Sequence, residues 1–500
     1  MTQSAPTEGA WLAAARGPLW RAALAGRRVT VVGLARSGVA ACRLLVALGA
    51  RVTGTDACLA GQVDEAVRGL DTEGVRLHLG GHPPEAFAAA DLVVVSPGVP
   101  PAHSALAMCR ERGVPVIGEL ELAYRVMTAD VVAITGTNGK TTTTSLVGAL
   151  LARAGRPVVV GGNIGRPLAA EALTVPAAGI VVAEVSSFQL ETTDTFRPRV
   201  AAILNLTPDH LDRHGSLAAY AEAKARILAR QTEDDWAVVN ADDPGAAALG
   251  ARARSRLLRF SRREAVSAGT WVRDGWVTLR LGGADRAVCP VAEIQLRGDH
   301  NLENVLAATA CAAALGVAPD TLREGVRAFR AVSHRLEWVR DRGGVAFYDD
   351  SKGTNVDATR KALASFREPI VLIAGGRDKG QAFDPLAQAA AGRVKAAVLI
   401  GEGRVTMGPA LRAVTRVYEA DSMVDAVGRA AALAVAGDVV LLSPACASFD
   451  MFRDYEHRGD AFKQAVLALD ESGQDRHRTS NPQVGGVQGG GVVGTPPPVG

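Results

Sequence analysis

The chain has 500 residues, 48% of them hydrophobic and only 4% aromatic, and its 55 lysines and arginines exceed its 52 acidic residues to leave a net charge of +3. That length provides for roughly three domains of ~150 residues, filled by Val, Leu, Ile and Ala rather than by rings. The near balance of charge argues against a nucleic-acid or membrane-surface partner and toward small molecules.

The chain opens with "MTQSAPTEGAWLAAARGPLW", which lacks a basic n-region and has its apolar run broken by Arg16. No uncharged apolar stretch reaches the ~18 residues of a membrane span, so a cytoplasmic protein is expected. From residue 29 a pattern repeats: a short β-branched run, a turn with Gly, Asp or Asn, then an Ala/Leu/Arg-rich helical stretch, the pattern of parallel sheets built from βαβ units. "VTVVGL", "RVTGTD", "DLVVVSPG" and "VPVIG" make a first block. "DVVAITG", "PVVVGGNIG", "GIVVAEVSS", "VAAILNLTPDH" and "WAVVNADD" make a second, followed by "RLLRF" and "GTWVRDGWVTLRLGG", where Asp274-Gly275 predicts a hairpin. After the helical "NLENVLAATACAAALG", a third block carries "GGVAFYDDSKGT", "PIVLIAGGRDKG", "AAVLIGEG" and "DVVLLSPACAS". The expected fold is α/β in three domains: a Rossmann-like domain over 1–124, a central nucleotide-binding parallel sheet with a small β extension over 125–331, and a second Rossmann-like domain over 332–470. Residues 471–500, rich in Gly and Pro, predict a disordered tail. The six cysteines form no C-x-x-C pair, so neither a zinc site nor a disulfide framework is expected.

Two strand-to-helix turns carry chemistry. In the first block Gly33 and Gly38 flank a turn with Asp56 at the end of the next strand, but Ala35 stands where a dinucleotide fingerprint needs its middle glycine. The geometry suits a phosphorylated ligand at a helix N-terminus as well as it suits a structural turn. In the second block Gly136-Thr137-Asn138-Gly139-Lys140-Thr141 follows an apolar strand and precedes a helix, with Ile134 where the common P-loop has glycine. Its amides can curl round phosphate oxygens, Lys140 supplies charge and Thr141 a hydroxyl for magnesium. Glu184 and His210 lie at the carboxyl ends of neighbouring strands, where both can reach a metal in the same crevice.

The set "GTNGKTT", "EVSSFQLE", "NLTPDHLDRHGSLAAYAEAKARIL", "GDHNLEN", "HRLE", "DDSKGTN" and "LLSPACASFDMF", in this order from about residue 29 to about 463, resembles the Mur ligases of peptidoglycan synthesis, and most of all their D-glutamate-adding branch. The resemblance implies an ATP-dependent ligase that adds D-glutamate to UDP-N-acetylmuramoyl-L-alanine through an acyl phosphate, acting as a monomer. It implies that Gly136 to Thr142 hold ATP, with Lys140, His210 and Lys224 catalytic. It implies two magnesium ions, one at Thr141 and one at Glu184 and His210, with Lys224 carbamylated as a further ligand. Asn301, Asn304, Arg335 and Asp350 would complete the nucleotide site, and His334 with Arg335 would mark the hinge into the third domain. Arg36, Ser37, Gly38, Asp56, Ser96, Pro97 and Gly98 would take the uridine diphosphate, and Asn163 the muramoyl part. Thr354, Lys379, Ser448 and Tyr455 would grip D-glutamate, Tyr455 standing where phenylalanine is expected. Ala57 and Cys58 follow Asp56 where relatives can carry a basic residue. Another Mur ligase or a folylpolyglutamate synthetase-type ligase would share the loop; "DDSKGTN" with "SPACAS" separates them.

Overall fold

The structure is a computed structural model that describes residues 10–13, 15–330, 332–378 and 380–469. The Gly/Pro-rich tail and Lys379 lie outside the described residues.

Three sheets follow one another along the chain. The first is all parallel, in the order Arg76–Leu79, Arg51–Asp56, Arg28–Val32, Leu92–Val95, Val116–Gly118. Arg28–Val32 is buried after its first residue, as a run of β-branched residues between two helical layers should be. The chain winds outward on both sides of this strand, leaving a crevice beyond its carboxyl end. Helix Arg36–Ala47 packs against it closely enough that a Cβ on Gly38 would lie 1.9 Å from the Gly33 carbonyl oxygen. Only glycine fits there.

The central sheet has nine strands. Seven run parallel, from Val158–Gly162 at one edge through Ile180–Glu184, Asp130–Thr135, Val200–Ile203, Trp236–Asn240 and Arg256–Ser261 to Gly269–Arg273. Trp276–Leu281 and Ala284–Pro290 then complete it antiparallel. Asp274 (φ 51°) and Gly275 (φ 76°) form the two-residue turn expected of that hairpin. On the outermost strand, Asp285 is held by Arg280 (2.5 and 3.0 Å) and Arg273 (2.8 Å).

The third sheet runs Glu337–Arg342, Val345–Asp349, Val439–Leu442, Ile370–Gly375, Val394–Ile400, Arg416–Glu419. It is mixed: Glu337–Arg342 pairs antiparallel at the edge. The strands Arg76–Leu79, Glu337–Arg342 and Arg416–Glu419 had no reading in the sequence, because their alternation is partly exposed and rich in charge.

One hydrophobic cluster joins the first sheet to the central one, running from Trp20, Val31 and Leu45 through Leu122 to Ala183 and Ile203. Helix Glu119–Val126 is buried throughout at this junction. The third domain keeps two clusters of its own, one on each face of its sheet.

Candidate active site

Strand Asp130–Thr135 ends in the loop that begins helix Lys140–Arg153. Gly139 precedes that helix in a left-handed conformation (φ 85°), and a Cβ there would fall 2.2 Å from Asn304 Oδ1. Asn205, from the neighbouring strand end, clasps the loop: its Oδ1 accepts from the Asn138 amide (2.8 Å) and its Nδ2 donates to the Asn138 carbonyl (3.1 Å). Thr137 exchanges hydrogen bonds with the Thr207 backbone, both at 3.0 Å. Lys140 folds back over the loop, donating to the carbonyls of Gly136 (3.0 Å) and Thr137 (2.8 Å). Burial, with Arg335 adding to it against the pull of Glu184, lowers its affinity for a proton.

Glu184 is buried at the end of its strand. Its Oε2 accepts from Thr141 Oγ1 and its Oε1 from Asn163 Nδ2, both at 2.8 Å. A buried carboxylate held by two uncharged donors beside a phosphate loop is suited to a divalent cation. Asn163, expected at the muramoyl part, is thus tied to the carboxylate expected to hold a metal. His210 begins helix Leu211–His214 in a left-handed conformation (φ 52°). Its ring is half-exposed and stands edge-on to Phe188 with centroids 4.9 Å apart.

Lys224, on helix Leu217–Ala225, is 1% exposed and donates to the Gly136 carbonyl (3.0 Å) and Thr135 Oγ1 (3.3 Å), over the Tyr220 ring. Burial, and then Lys140, hold its ammonium well below the ordinary lysine value, against Asp209 and Glu184. An uncharged amine is the form that captures carbon dioxide, so the setting fits a carbamate.

A cavity opens between this loop and the third domain, lined by Asn138, Gly139, Thr142, Asn301, Asn304 and, from across the junction, Arg335 and Asp350. Thr143 Oγ1 donates to Asn304 Oδ1 (3.3 Å) and Asn304 Nδ2 to Asn301 Oδ1 (3.0 Å), fixing both amides. Arg335 reaches Thr141 Oγ1 at 3.2 Å. Burial pushes Asp350 up to about 7, opposed by the Ser443 hydroxyl (2.7 Å) and by Arg335. His334 (φ 64°) stands at the start of the third domain with Nδ1 2.7 Å from Asp349 Oδ2. Among the described residues, the one group of three His, Cys, Asp or Glu side chains with ligand atoms within 4.8 Å of each other is His334, Glu337 and Asp349. Glu337 already accepts from the His334 amide (2.8 Å) and Lys463 (3.3 Å), so this group reads as a hinge network.

Of the residues assigned to D-glutamate, Ser448 is buried and Thr354 donates its amide to the Lys352 carbonyl (2.9 Å). Tyr455 lies under Lys352 Nζ, 4.8 Å from the ring centroid, and its hydroxyl donates to Glu456 (2.9 Å). Burial, then Arg335, bring Lys352 down to about 8. The sequence reading did not single out Lys352, although it stands inside "DDSKGTN"; nor Asn205 or Asp357, whose partners are remote in sequence.

At the first sheet, Asp56 accepts from the amides of Leu34 (2.6 Å) and Cys58 (2.8 Å). Burial alone would raise its pKa, but these amides hold it below the usual value. Ser96 Oγ donates to the Gly33 carbonyl (2.7 Å), tying two of the expected diphosphate loops together. The guanidinium of Arg36 crosses to the Gly165 carbonyl, and Arg213 reaches the carbonyls of Gly98 (3.4 Å) and Val99 (3.3 Å). Both contacts bind the first domain to the central one, so Arg36 serves that junction as well as the diphosphate role expected of it.

Models of three consecutive domains match in the order of the three sheets: the Mur ligase MurD-like N-terminal domain over 27–118, the Mur ligase middle domain over 134–312, and the Mur ligase glutamate ligase domain over 334–446. The UDP-N-acetylmuramoylalanine–D-glutamate ligase of Pelotomaculum thermopropionicum is 48% identical over 445 residues, covering 89% of this chain and 98% of that one. The chain belongs to the Mur ligase family. The ligase of the same name from Acidobacterium capsulatum is 48% identical over 447 residues, 89% of this chain and 97% of its own. Among solved structures, the UDP-N-acetylmuramate-alanine ligase of Thermotoga maritima (TM-score 0.57, 20% identity, 89% of this chain and all of that one) shares the fold. A pseudomurein peptide ligase of Methanothermus fervidus does so too (TM-score 0.57, 19% identity, with the same coverage). Mur ligases use ATP, which agrees with the loop at 136–142.

Proposed function

We propose that this Mur ligase joins D-glutamate to UDP-N-acetylmuramoyl-L-alanine at the expense of ATP, as its 48%-identical relatives are named for doing. The observation that carries the mechanism is the cavity in which loop residues Asn138, Gly139 and Thr142 face Arg335 and Asp350 of the third domain. A carboxylate is a poor electrophile until one oxygen becomes a leaving group. Transfer of the terminal phosphoryl group of ATP to the L-alanyl carboxylate gives an acyl phosphate and ADP. The amine of D-glutamate then attacks the acyl carbon, and the tetrahedral adduct loses phosphate and a proton to leave the amide. Lys140 and the amides at 136–141 offset the charge of the two anions that meet in the first step; Arg335 adds charge from the opposite side. Thr141, Glu184, His210 and a carbamate on Lys224 would hold magnesium, which supplies Lewis-acid polarisation of the phosphoryl oxygens. Asp56, Ser96 and the turn at Arg36 to Gly38 would orient the uridine diphosphate, and Thr354, Lys379, Ser448 and Tyr455 the two carboxylates of D-glutamate. The reaction takes water-soluble substrates, which supports a cytoplasmic enzyme; no described helix is long and apolar enough to cross a membrane.

The test is phosphate release from ATP with UDP-N-acetylmuramoyl-L-alanine and, in parallel, D-glutamate, L-glutamate, L-alanine, L-lysine or meso-diaminopimelate. Turnover with D-glutamate alone is expected. Turnover with another amino acid in its place would move the chain to a different branch of the family.

A further inference from the structure

We propose that Asp357 is a positioning residue that fastens the third domain onto the ATP loop through the side chain of Asn138. Asn138 Nδ2 donates to Asp357 Oδ2 at 2.7 Å across 219 residues of sequence. Each partner is anchored on its own side of the junction. The Asn138 backbone is clasped at both its amide and its carbonyl by Asn205. Asp357 sits in the first turn of helix Val356–Ala364, capped by Asn355, and Lys361 one turn later holds the same oxygen at 2.9 Å. Two pre-set groups that meet across a domain boundary lose little freedom on pairing, and that is what makes one hydrogen bond effective as a fastener.

In the arrangement that joins Asp357 to Asn138, Arg335 also reaches Thr141 Oγ1, and Ala358, Lys361 and Ala362 line the cavity. The positioning role rests on the reading of 136–142 as the ATP loop. Asp357 touches neither the expected phosphates nor the reacting atoms; it sets how often the third domain stands where Arg335 and the D-glutamate residues meet the loop.

The experiment compares wild type, Asp357→Ala, Asp357→Asn, Asn138→Ala and the double alanine variant in steady-state kinetics, nucleotide binding and small-angle scattering. For Asp357→Ala a fall of about tenfold in kcat is expected, with ATP affinity changed less than threefold and a more extended particle in the presence of a nonhydrolysable ATP analogue. Asp357→Asn keeps an acceptor for Asn138 and should recover most of the rate. The double variant should be no slower than Asn138→Ala alone. Unchanged kcat in Asp357→Ala, additive losses in the double variant, or loss of ATP affinity with unchanged scattering would each overturn the proposal. Lys140→Ala separates this from the reading beneath it: retained turnover there removes the ATP-loop assignment, while the scattering comparison still decides whether Asp357 holds the domain closed.

Discussion

The two domain junctions of this chain are built from different materials. Between the first and central domains runs a single apolar cluster through Leu122, with the buried Glu121 taking the amides of Asp194 (3.0 Å), Thr195 (2.9 Å) and Phe196 (3.1 Å) while paired to Arg125 (2.6 Å). Between the central and third domains stand separate hydrogen bonds, Asn138 to Asp357 and Arg335 to Thr141, and the exposed ion pair of Arg297 with Glu368. Pulling apart the first junction exposes core; pulling apart the second exchanges polar contacts for water. A shared core makes the first two domains one unit, whereas small polar interfaces are where domains move. The reaction as proposed needs that division, because the uridine-linked substrate must be held still relative to the ATP loop while the amine-bearing domain arrives.

The comparison breaks most completely at the loop both junctions serve. Lys140→Ala should lower kcat by at least ~10³-fold without loss of folding, measured by phosphate release and a thermal melt. Lys224→Ala should cost about 10²-fold and recover in part with millimolar short carboxylic acids, which replace the carbamate; an intact fold without rescue would make Lys224 a structural lysine. Leu122→Ala tests the apolar junction: a loss of about 3 kcal/mol in chemical denaturation is expected, with the first and central domains still unfolding together. Separate transitions would show that they are not one unit.

The smallest effect concerns Glu119, whose Oε1 accepts from the Ala169 amide (2.7 Å) across the same junction while Oε2 is buried and unpartnered. Burial pushes this carboxyl from its ordinary 4.5 up to about 7, against the amides of Ala169 and Leu168. Between those two values the folded chain keeps a proton that the unfolded chain releases, so stability falls as pH rises through this window and stays lower above it. Glu119→Gln should leave stability unchanged near pH 4, raise it by about 2 kcal/mol at pH 8, and flatten the profile between.

What was legible in the sequence follows the same division. Lys140, Thr141 and Glu184 could be read because each stands at a strand end or loop whose position is set by local pattern, and the hairpin at Asp274-Gly275 because its turn chemistry is local. The charged edge strands Arg76–Leu79, Ala284–Pro290, Glu337–Arg342 and Arg416–Glu419 were not read, since their alternation gives no core face to recognise. Asp357 and Asn205 were missed for another reason: an Asp in the first turn of a helix and an Asn after a strand are ordinary residues there, and only folding brings them to Asn138. Arg36 shows the converse. Its place at a helix N-terminus suggests a phosphate, yet its guanidinium also spans to the Gly165 carbonyl.

The charged rung on the outermost central strand bears on how nine strands can end in water. An uncovered strand offers a row of amides and carbonyls to any other extended chain. Here Asp285 sits between Arg273 and Arg280, so a strand laid alongside would have to strip water from three charges before gaining its ladder. The sheet is thereby insulated against growth from its own edge.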